Sequence, residues 1–361
     1  MIRFFSIFLG LFFIVPLTAE AKRTFTTIKA YAEKFSANPL KLTITPVSQQ
    51  DVLLNWFSNG RAMSPQIAVR SSRQGREIYY YKPKQNALAA FNFGVSDFQS
   101  GNYYDALRKF KTALQLDPNF YKVYLFIGDT FFMKGQYKEA IKFFNKLLEK
   151  NPIDYMANLY LADSYWKLGE LAKAKKYLIR SLILNVRNGE AWGKLRGLGE
   201  LMGFAVDNNR FIPLVVMDEK SKLVKVADGI WKNYGLCKGV WRGDSDFFTK
   251  KTSISSYKHT IAEEFECVVN LLEGISLEKK TNPNLKVPLG IRRLQLIASR
   301  GDLYGLVVME LYLPQNPLMA ALISEKEMEN LTLYIDKYIL IKPHGQHKIF
   351  REERKRVLSS L

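Results

Sequence analysis

Cysteine and histidine are scarce in this sequence: its 361 residues include two cysteines, Cys237 and Cys267, and three histidines. So few cysteines exclude a disulfide-stapled scaffold and an array of zinc ribbons. The sequence leaves open whether the two cysteines pair, and two buried free thiols are at least as well supported. His259 is expected near a helix start as a surface or capping residue, and His344 with His347 offers too few ligands for a metal site. We therefore expect neither a metal nor a cofactor.

Sequence signatures of the common enzyme classes are also missing. There is no glycine-rich phosphate loop, no Gly-x-Ser-x-Gly elbow and no His-Glu-x-x-His zinc motif. The acidic pairs Glu263–Glu264 and Glu352–Glu353 are adjacent in sequence. Neighbouring positions on a helix point about 100° apart, so we expect these carboxylates on solvated faces rather than converging on a substrate. No catalytic residue is predicted, and the sequence favours a protein that is not an enzyme.

No long apolar run occurs beyond the N-terminus, which predicts a mature chain without a transmembrane segment. Met1–Ala21 has the features of a secretory signal peptide: Arg3, an apolar stretch over residues 4–17, and a small-x-small sequence at residues 19–21. The apolar stretch is shorter than the ~20 residues that span a bilayer. We expect cleavage before Lys22 and export to the periplasm or the extracellular space.

Acidic residues are outnumbered by basic ones, and the formal net charge is +19. The basic excess is spread along the chain, without a dense patch that has interleaved aromatic side chains. Nucleic acid is therefore not an expected partner. An anionic surface of the cell envelope is a candidate partner, through an attraction that salt would screen.

The clearest pattern is a repeat of 34 residues over residues 87–186. Position 1 of the unit falls at residues 87, 121 and 155. Apolar residues at helical spacing stand on both sides of a central glycine, which predicts two helices joined by a tight turn. Equivalent positions are Gly94, Gly128 and Ala162; Gly101, Gly135 and Gly169; Ala106, Ala140 and Ala174; Phe110, Phe144 and Leu178; and Pro118, Pro152 and Val186.

These positions resemble the tetratricopeptide repeat (TPR). Asp97, Ala162 and Val186 depart from the family pattern without breaking the hairpin. The phase continues into Glu190–Met202, which we interpret as a lone capping helix because Arg196 stands at the small-residue position. The resemblance implies an all-α solenoid of three hairpins and a cap over residues 87–203, with an inner groove that binds a peptide or another protein.

The resemblance also implies which side chains face this groove, at positions 5, 9, 12 and 13 of each first helix. We expect an apolar, aromatic ledge beside two carboxylates, suited to a peptide with apolar anchors and a lysine or arginine. Two alternatives are that the aromatic side chains pack against neighbouring repeats, and that a terminal segment of the chain itself fills the groove. The predicted groove residues are Phe91, Val95, Phe98, Leu125, Asp129, Phe132, Met133, Leu159, Asp163, Trp166 and Lys167.

The remaining sequence has no recognised family. Residues 22–86 are expected to form an extended basic lead-in, with a short strand at residues 41–45. Residues 204–341 show helical spacing from Leu223 onward and are expected to form a mostly helical C-terminal domain, and residues 342–361 a basic tail.

The leading hypothesis is a non-enzymatic adaptor of a bacterial cell envelope that binds a partner segment in the TPR groove. The alternative is an enzyme or ligand-binding protein with its site in the C-terminal domain, where Tyr234, Arg242, Asp244 and Glu310 are candidate groups. A weaker third hypothesis is that the basic lead-in binds an envelope polymer.

Overall fold

A computed structural model describes residues 25–57, 67–72, 75–207, 210–218 and 222–342. The predicted signal peptide and almost all of the predicted basic tail lie outside these residues. The chain divides into two compact units. Within the described residues, we call residues 67–206 with residues 317–342 the repeat domain, and residues 25–57 with residues 207–316 the disulfide domain. No helix among the described residues is long and apolar enough to cross a membrane.

The predicted repeats are helical hairpins, which confirms the all-α solenoid. Each turn glycine (Gly101, Gly135 and Gly169) has a positive φ between 72° and 78°, a conformation that costs glycine least. Gly203 ends the capping helix in the same conformation, with φ at 75°. The helices are Gln85–Gln99 and Tyr103–Leu116, Lys122–Met133 and Tyr137–Lys150, Tyr155–Lys167 and Leu171–Leu184, then the cap Gly189–Met202.

The small residues at positions 8 and 20 allow the two helices of a hairpin to approach closely. A Cβ atom added at Gly94 would lie 2.6 Å from the Phe110 ring. One added at Gly128 would overlap the ring of Phe144, which is fully buried. In the third unit, position 8 is Ala162, and its methyl group has room because Leu178 replaces the larger phenylalanine of the first two units. Ala106, Ala140 and Ala174 are fully buried at position 20.

Replacing Gly128 by alanine is therefore expected to destabilise the repeat domain by about 1–3 kcal/mol, although alanine has the better helix propensity. Adding Phe144→Leu recreates the combination found at Ala162 and Leu178 and should recover part of that loss. The matched control is Gly193→Ala, where only an Arg196 nitrogen lies near, at 3.9 Å. Urea unfolding measures wild type, Gly128→Ala, Phe144→Leu, the double variant and Gly193→Ala, and strictly additive effects of Gly128→Ala and Phe144→Leu would contradict this account.

Segments from both ends of the repeat domain pack on the hairpins. The antiparallel strands Ile67–Ser72 and Gly75–Tyr80 form a β-hairpin whose Ala68 is buried in the same cluster as Leu125. The Tyr81 hydroxyl donates a hydrogen bond to Asp117 at 2.7 Å. This segment of the predicted lead-in is thus folded rather than extended, because its aromatic side chains find apolar partners on the repeats.

The C-terminal part of the repeat domain differs from the predicted division of the chain, because residues 317–342 lie with the repeats. After the 3₁₀ segment Pro317–Leu322, helix Glu325–Tyr334 continues into the π-helical segment Ile335–Ile339. Strand Leu340–Ile341 then pairs with Ala205–Val206, which follows the capping helix. Arg180 forms a two-pronged ion pair with Glu325, at 2.6 and 2.7 Å. These contacts join segments far apart in sequence, which local periodicity does not report.

The disulfide domain combines a small sheet with helices. Leu223–Val226 is the central strand of this sheet. It pairs in parallel with Lys41–Ile44, the strand that the sequence predicted, and antiparallel with Val215–Asp218 on its other edge. Leu223–Val226 is thus a strand where helical spacing was expected, and the helix begins only at Lys232. The helices are Ile28–Ala37, Gln49–Phe57, Lys232–Gly243, Ser245–Thr252, Ile261–Thr281, Leu289–Ser299, and residues 303–315 with a π-helical middle at Val307–Tyr312.

Two long-range features hold this domain together. Cys237 and Cys267 form a disulfide between helices Lys232–Gly243 and Ile261–Thr281, which resolves the question that the sequence left open. Helix Ile28–Ala37, from the predicted lead-in, packs Phe35 over Gly239, where a Cβ would lie 2.5 Å from the ring. The early part of the chain is therefore part of the domain core, not an extended arm.

Candidate functional site

The predicted groove residues fall into buried and accessible sets. At position 5, Phe91, Leu125 and Leu159 are each at most 5% exposed, so they belong to the core. At position 12, Phe98, Phe132 and Trp166 are half-buried, and at position 13 Met133 is 55% exposed and Lys167 is exposed. The accessible part of the surface is therefore formed by positions 9, 12 and 13, with Val95 at position 9 of the first repeat half-buried.

Positions 9, 12 and 13 share one helix face, because residues three and four apart are neighbours on a helix. Asp129 thus lies beside Phe132 and Met133. The two aromatic side chains of the second repeat's turn also meet, with the Phe132 and Tyr137 rings 5.2 Å apart. The Trp166 ring lies against the capping helix, since a Cβ at Gly197 would be 3.3 Å from it. We call the surface formed by Asp129, Phe132, Met133, Asp163 and Trp166 the inner groove.

The two carboxylates of the inner groove have different surroundings. Asp163 is paired with Lys194 of the capping helix at 2.5 Å, and Lys194 also pairs with Glu190 at 2.8 Å. Asp129 has no hydrogen-bond or ion-pair partner among the described residues. Burial, and to a smaller extent the charge of Asp163, raise the pKa of Asp129 to about 6. The groove thus contains one satisfied carboxylate and one that lacks a counter-charge.

Sequence reasoning missed Lys194, Glu190 and Gly197, which belong to the capping helix. The signal was present, because the 34-residue phase places Gly193 and Gly197 at positions 5 and 9 of a fourth unit. Treating Glu190–Met202 only as a cap concealed that it extends the inner face. Gly197 leaves room for the Trp166 ring, and Lys194 supplies the counter-charge of Asp163.

A second polar cluster lies in the disulfide domain and corrects two predictions. Glu263 and Glu264, expected on a solvated face, are both fully buried. Lys238, itself fully buried, forms ion pairs with both carboxylates, and its distance to Glu264 is 2.8 Å. Adjacent carboxylates converge here because the cation comes from a different helix and lies between them. We call these three residues, together with His259, the buried ionic cluster.

His259 was expected to be a surface or capping residue, and that prediction is wrong. Its side chain is 9% exposed, and its Nε2 atom lies 2.5 Å from a carboxylate oxygen of Glu264. Its other ring nitrogen is 2.7 Å from the Asn316 amide. The nearest ligand atoms of His259, Glu263 and Glu264 all lie within 4.8 Å of one another, as in a metal site. The ammonium of Lys238 supplies the positive charge there, so we interpret the cluster as an internal ion-pair network.

The groups proposed for an alternative site are only partly brought together. The Tyr234 hydroxyl donates to Glu264 at 2.5 Å, and the Arg242 guanidinium lies 3.9 Å from Glu263, which places both at the buried ionic cluster. Asp244 instead caps a helix by accepting from the Phe247 amide. Glu310 forms a separate buried ion pair with Arg293, at 2.8 and 3.0 Å. The four groups therefore do not form one site.

Comparisons with known proteins agree with the repeat geometry. Residues 131–198 match a family model described as Tetratricopeptide repeat, and residues 84–156 match one described as Regulator of microtubule dynamics protein 1-3. A search of the curated proteins finds no match to this chain.

The structure is also similar to several solved TPR structures. The first TPR of Spaghetti (RPAP3) bound to an HSP90 peptide is 24% identical, covering 33% of this chain and 94% of that chain, with a TM-score of 0.32. The Yersinia enterocolitica type III secretion chaperone SycD in complex with a YopD peptide is 21% identical, covering 33% and 96%, with a TM-score of 0.31. The N-terminal domain of stress-induced protein-1 from C. elegans is 21% identical, covering 31% and 93%, with a TM-score of 0.29.

The three hairpins share one 34-residue phase, and a lone helix caps them. A family model for the tetratricopeptide repeat matches residues 131–198, within the second and third units and the cap. The repeat region of this chain, residues 85–202, is therefore an array of tetratricopeptide repeats.

Proposed function

We propose that this protein is a non-enzymatic interaction scaffold of a bacterial cell envelope, which binds an extended segment of a partner protein along its inner groove. The observation that carries the proposal is the combination of an exposed Met133, a half-buried Phe132 and an unpaired Asp129 on one helix face. Exposed apolar surface next to a carboxylate without a counter-charge is the surface that a partner would cover.

The chain's own segments do not complete this surface among the described residues. The N-terminal β-hairpin contributes Ala68 to the cluster around Leu125, and the C-terminal helix pairs Glu325 with Arg180. With both segments in place, Met133 is still 55% exposed. No segment among the described residues fills the groove, and this supports an external partner for the surface.

Partner capture tests the proposal directly. Crosslinking in intact cells, followed by mass spectrometry, identifies proteins held by the full-length chain. Phe132→Ala combined with Trp166→Ala should reduce their recovery by at least roughly tenfold, because large aromatic anchors dominate binding energy. Met133→Glu should also reduce the recovery of partner proteins. Because Met133 is exposed, this change leaves the core intact.

The matched control for partner capture is Leu277→Ala combined with Leu333→Ala, which removes exposed apolar side chains outside the inner groove. Recovery of the partner should stay at the wild-type level in this variant. Equal recovery with wild type, Met133→Glu and the aromatic double variant would refute recognition by the groove, provided that circular dichroism shows all of them folded.

Export rests on two independent features. Residues 1–21 have the composition of a signal peptide, and Cys237–Cys267 is a disulfide, which oxidising compartments favour. The net charge of +19 adds attraction to anionic envelope surfaces. Mass spectrometry of the protein from intact cells should show an N-terminus at Lys22, and a chain that retains Met1 and two free thiols would contradict export.

An enzyme or ligand-binding protein with its site in the disulfide domain is the second candidate function. The buried ionic cluster favours it, because histidine, lysine, tyrosine and glutamate side chains often perform catalysis. However, Glu264 already bonds to Lys238, His259 and Tyr234 within the domain. Such a network is suited to holding helices together, so we prefer the scaffold.

A further inference from the structure

We infer that the inner groove selects a partner segment carrying a single lysine or arginine side chain, which binds Asp129, and that Lys194 sets this limit of one cation by occupying Asp163 and Glu190. The inference rests on the proposed function, in which the groove holds a partner segment, and it specifies the chemistry of that segment. Lys194 would thus be the residue that determines specificity.

The first step concerns Asp129. A partly buried carboxylate loses hydration, and this loss is unfavourable unless a donor or a cation replaces the water. The described residues provide no such partner for Asp129. Burial, together with the nearby charge of Asp163, raises the pKa of Asp129 to about 6. A cation from a bound segment would supply the missing counter-charge at this position.

The second step concerns the carboxylates that remain. Lys194 donates to Asp163 at 2.5 Å and lies 2.8 Å from Glu190. Burial favours the neutral form of Lys194, but these two carboxylates outweigh that effect and raise its pKa above the usual value. Lys194 therefore stays charged and is held by both neighbours at once. A second cation from a partner would have to displace an ammonium that is already bound at close range.

The third step concerns the walls of the site. Phe132 and Met133 follow Asp129 by three and four positions, and Trp166 follows Asp163 by three, so apolar side chains flank the carboxylates on the same face. Lysine and arginine have long apolar stems with a charged end. Such a side chain can place its stem against the rings and its charge at Asp129. Aspartate or glutamate in the partner would instead meet Asp129 as a like charge.

Selection from a random peptide library tests both parts of the inference. A phage-displayed library of 12-residue peptides is panned against the full-length wild-type protein, Asp129→Asn, Lys194→Met and the control Lys194→Arg. Wild type and Lys194→Arg should enrich peptides with one basic residue between apolar residues. Asp129→Asn should lose this basic preference, and Lys194→Met should enrich peptides with two basic residues.

Affinities measured by fluorescence polarisation then quantify the selected peptides. Asp129→Asn should weaken binding of a one-cation peptide by roughly tenfold, as expected for one charge-assisted contact. Lys194→Met should strengthen binding of a two-cation peptide by a similar factor. Binding of both peptides should decrease at high salt.

The outcomes separate this inference from the function on which it rests. Failure of wild type to enrich any peptide, or enrichment that persists in Phe132→Ala with Trp166→Ala, overturns groove binding itself. Peptides that depend on the two aromatic residues but carry no basic residue, or an acidic one, overturn only the role of Asp129. Identical preferences of wild type and Lys194→Met overturn the role of Lys194.

Discussion

Replacing Lys238 by methionine is expected to lower the free energy of unfolding of the disulfide domain by about 3–5 kcal/mol. The variant keeps most of the side-chain volume but removes the ammonium that pairs with both Glu263 and Glu264, which are fully buried. An unpaired buried carboxylate has lost its hydration and gains little in return. The same change at Lys250, an exposed lysine in the same domain, should alter stability by less than ~0.5 kcal/mol.

A compensated variant distinguishes charge balance from side-chain shape. Lys238→Met combined with Glu263→Gln and Glu264→Gln removes the cation and both anions together, so it should regain most of the lost stability. Hydrogen exchange of amides in Lys232–Gly243 and Ile261–Thr281 measures the opening of this domain separately from the repeats. If Lys238→Met alone were as stable as wild type, the buried ionic cluster would not stabilise the fold.

The same cluster predicts how stability depends on pH. Burial alone would raise the pKa of Glu264, but the charges of Lys238 and His259 outweigh it and hold this pKa well below its ordinary value of 4.5. A pKa that is lower in the folded state means that the ionised carboxylate stabilises the fold above about pH 4.5, and that this contribution is lost as the pH falls further. Glu264→Gln should flatten the acid side of the stability profile.

Removing the disulfide is expected to have the second largest effect, a loss of about 3–4 kcal/mol. Cys237 and Cys267 are 30 residues apart, and closing a loop of this length removes conformational entropy from the unfolded chain. Cys237→Ala with Cys267→Ala should show this loss by hydrogen exchange of the two helices that the disulfide joins. The repeat helices are the internal control, because the cross-link lies within the disulfide domain.

Chemical reduction gives an independent measurement of how much the disulfide contributes to stability. Wild-type protein treated with a phosphine reductant should lose stability to nearly the same extent as the double alanine variant, and the variant should not respond to the reductant. Both cysteines are fully buried, so reduction will require partial unfolding. A double variant that matches oxidised wild type in stability would show that packing alone holds these helices together.

The repeat hairpins could be predicted because their determinants are local. Gly135 and Gly169 stand where a chain must take a positive φ, and Gly128 stands where only a small side chain fits beneath Phe144. Each requirement involves residues less than 20 positions apart, so it recurs with the 34-residue period. Phe132 and Trp166 were assigned to the groove by the family resemblance, once the 34-residue period had aligned the repeats.

The buried ionic cluster could not be predicted, because its partners come from separate parts of the chain. The angle between Glu263 and Glu264 on a helix suggested solvent-facing carboxylates, and the lysine that pairs with both is distant in sequence. Lys238 lies 25 residues earlier and reaches both because another helix packs alongside. Similarly, the strand at Lys41–Ile44 was predicted, but its partner Leu223–Val226 is distant in sequence.

By itself, the sequence determined the hairpins, their number and phase and the helix that follows them, since helical periodicity and turn conformation act over short stretches. The positions expected to face the inner groove came from the family resemblance. Only the tertiary structure decided that position 5 is core, that Lys194 neutralises Asp163 while Asp129 lacks a partner, and that Cys237 pairs with Cys267. Burial and charge pairing depend on distances between segments remote in sequence, and those distances exist only in the folded chain.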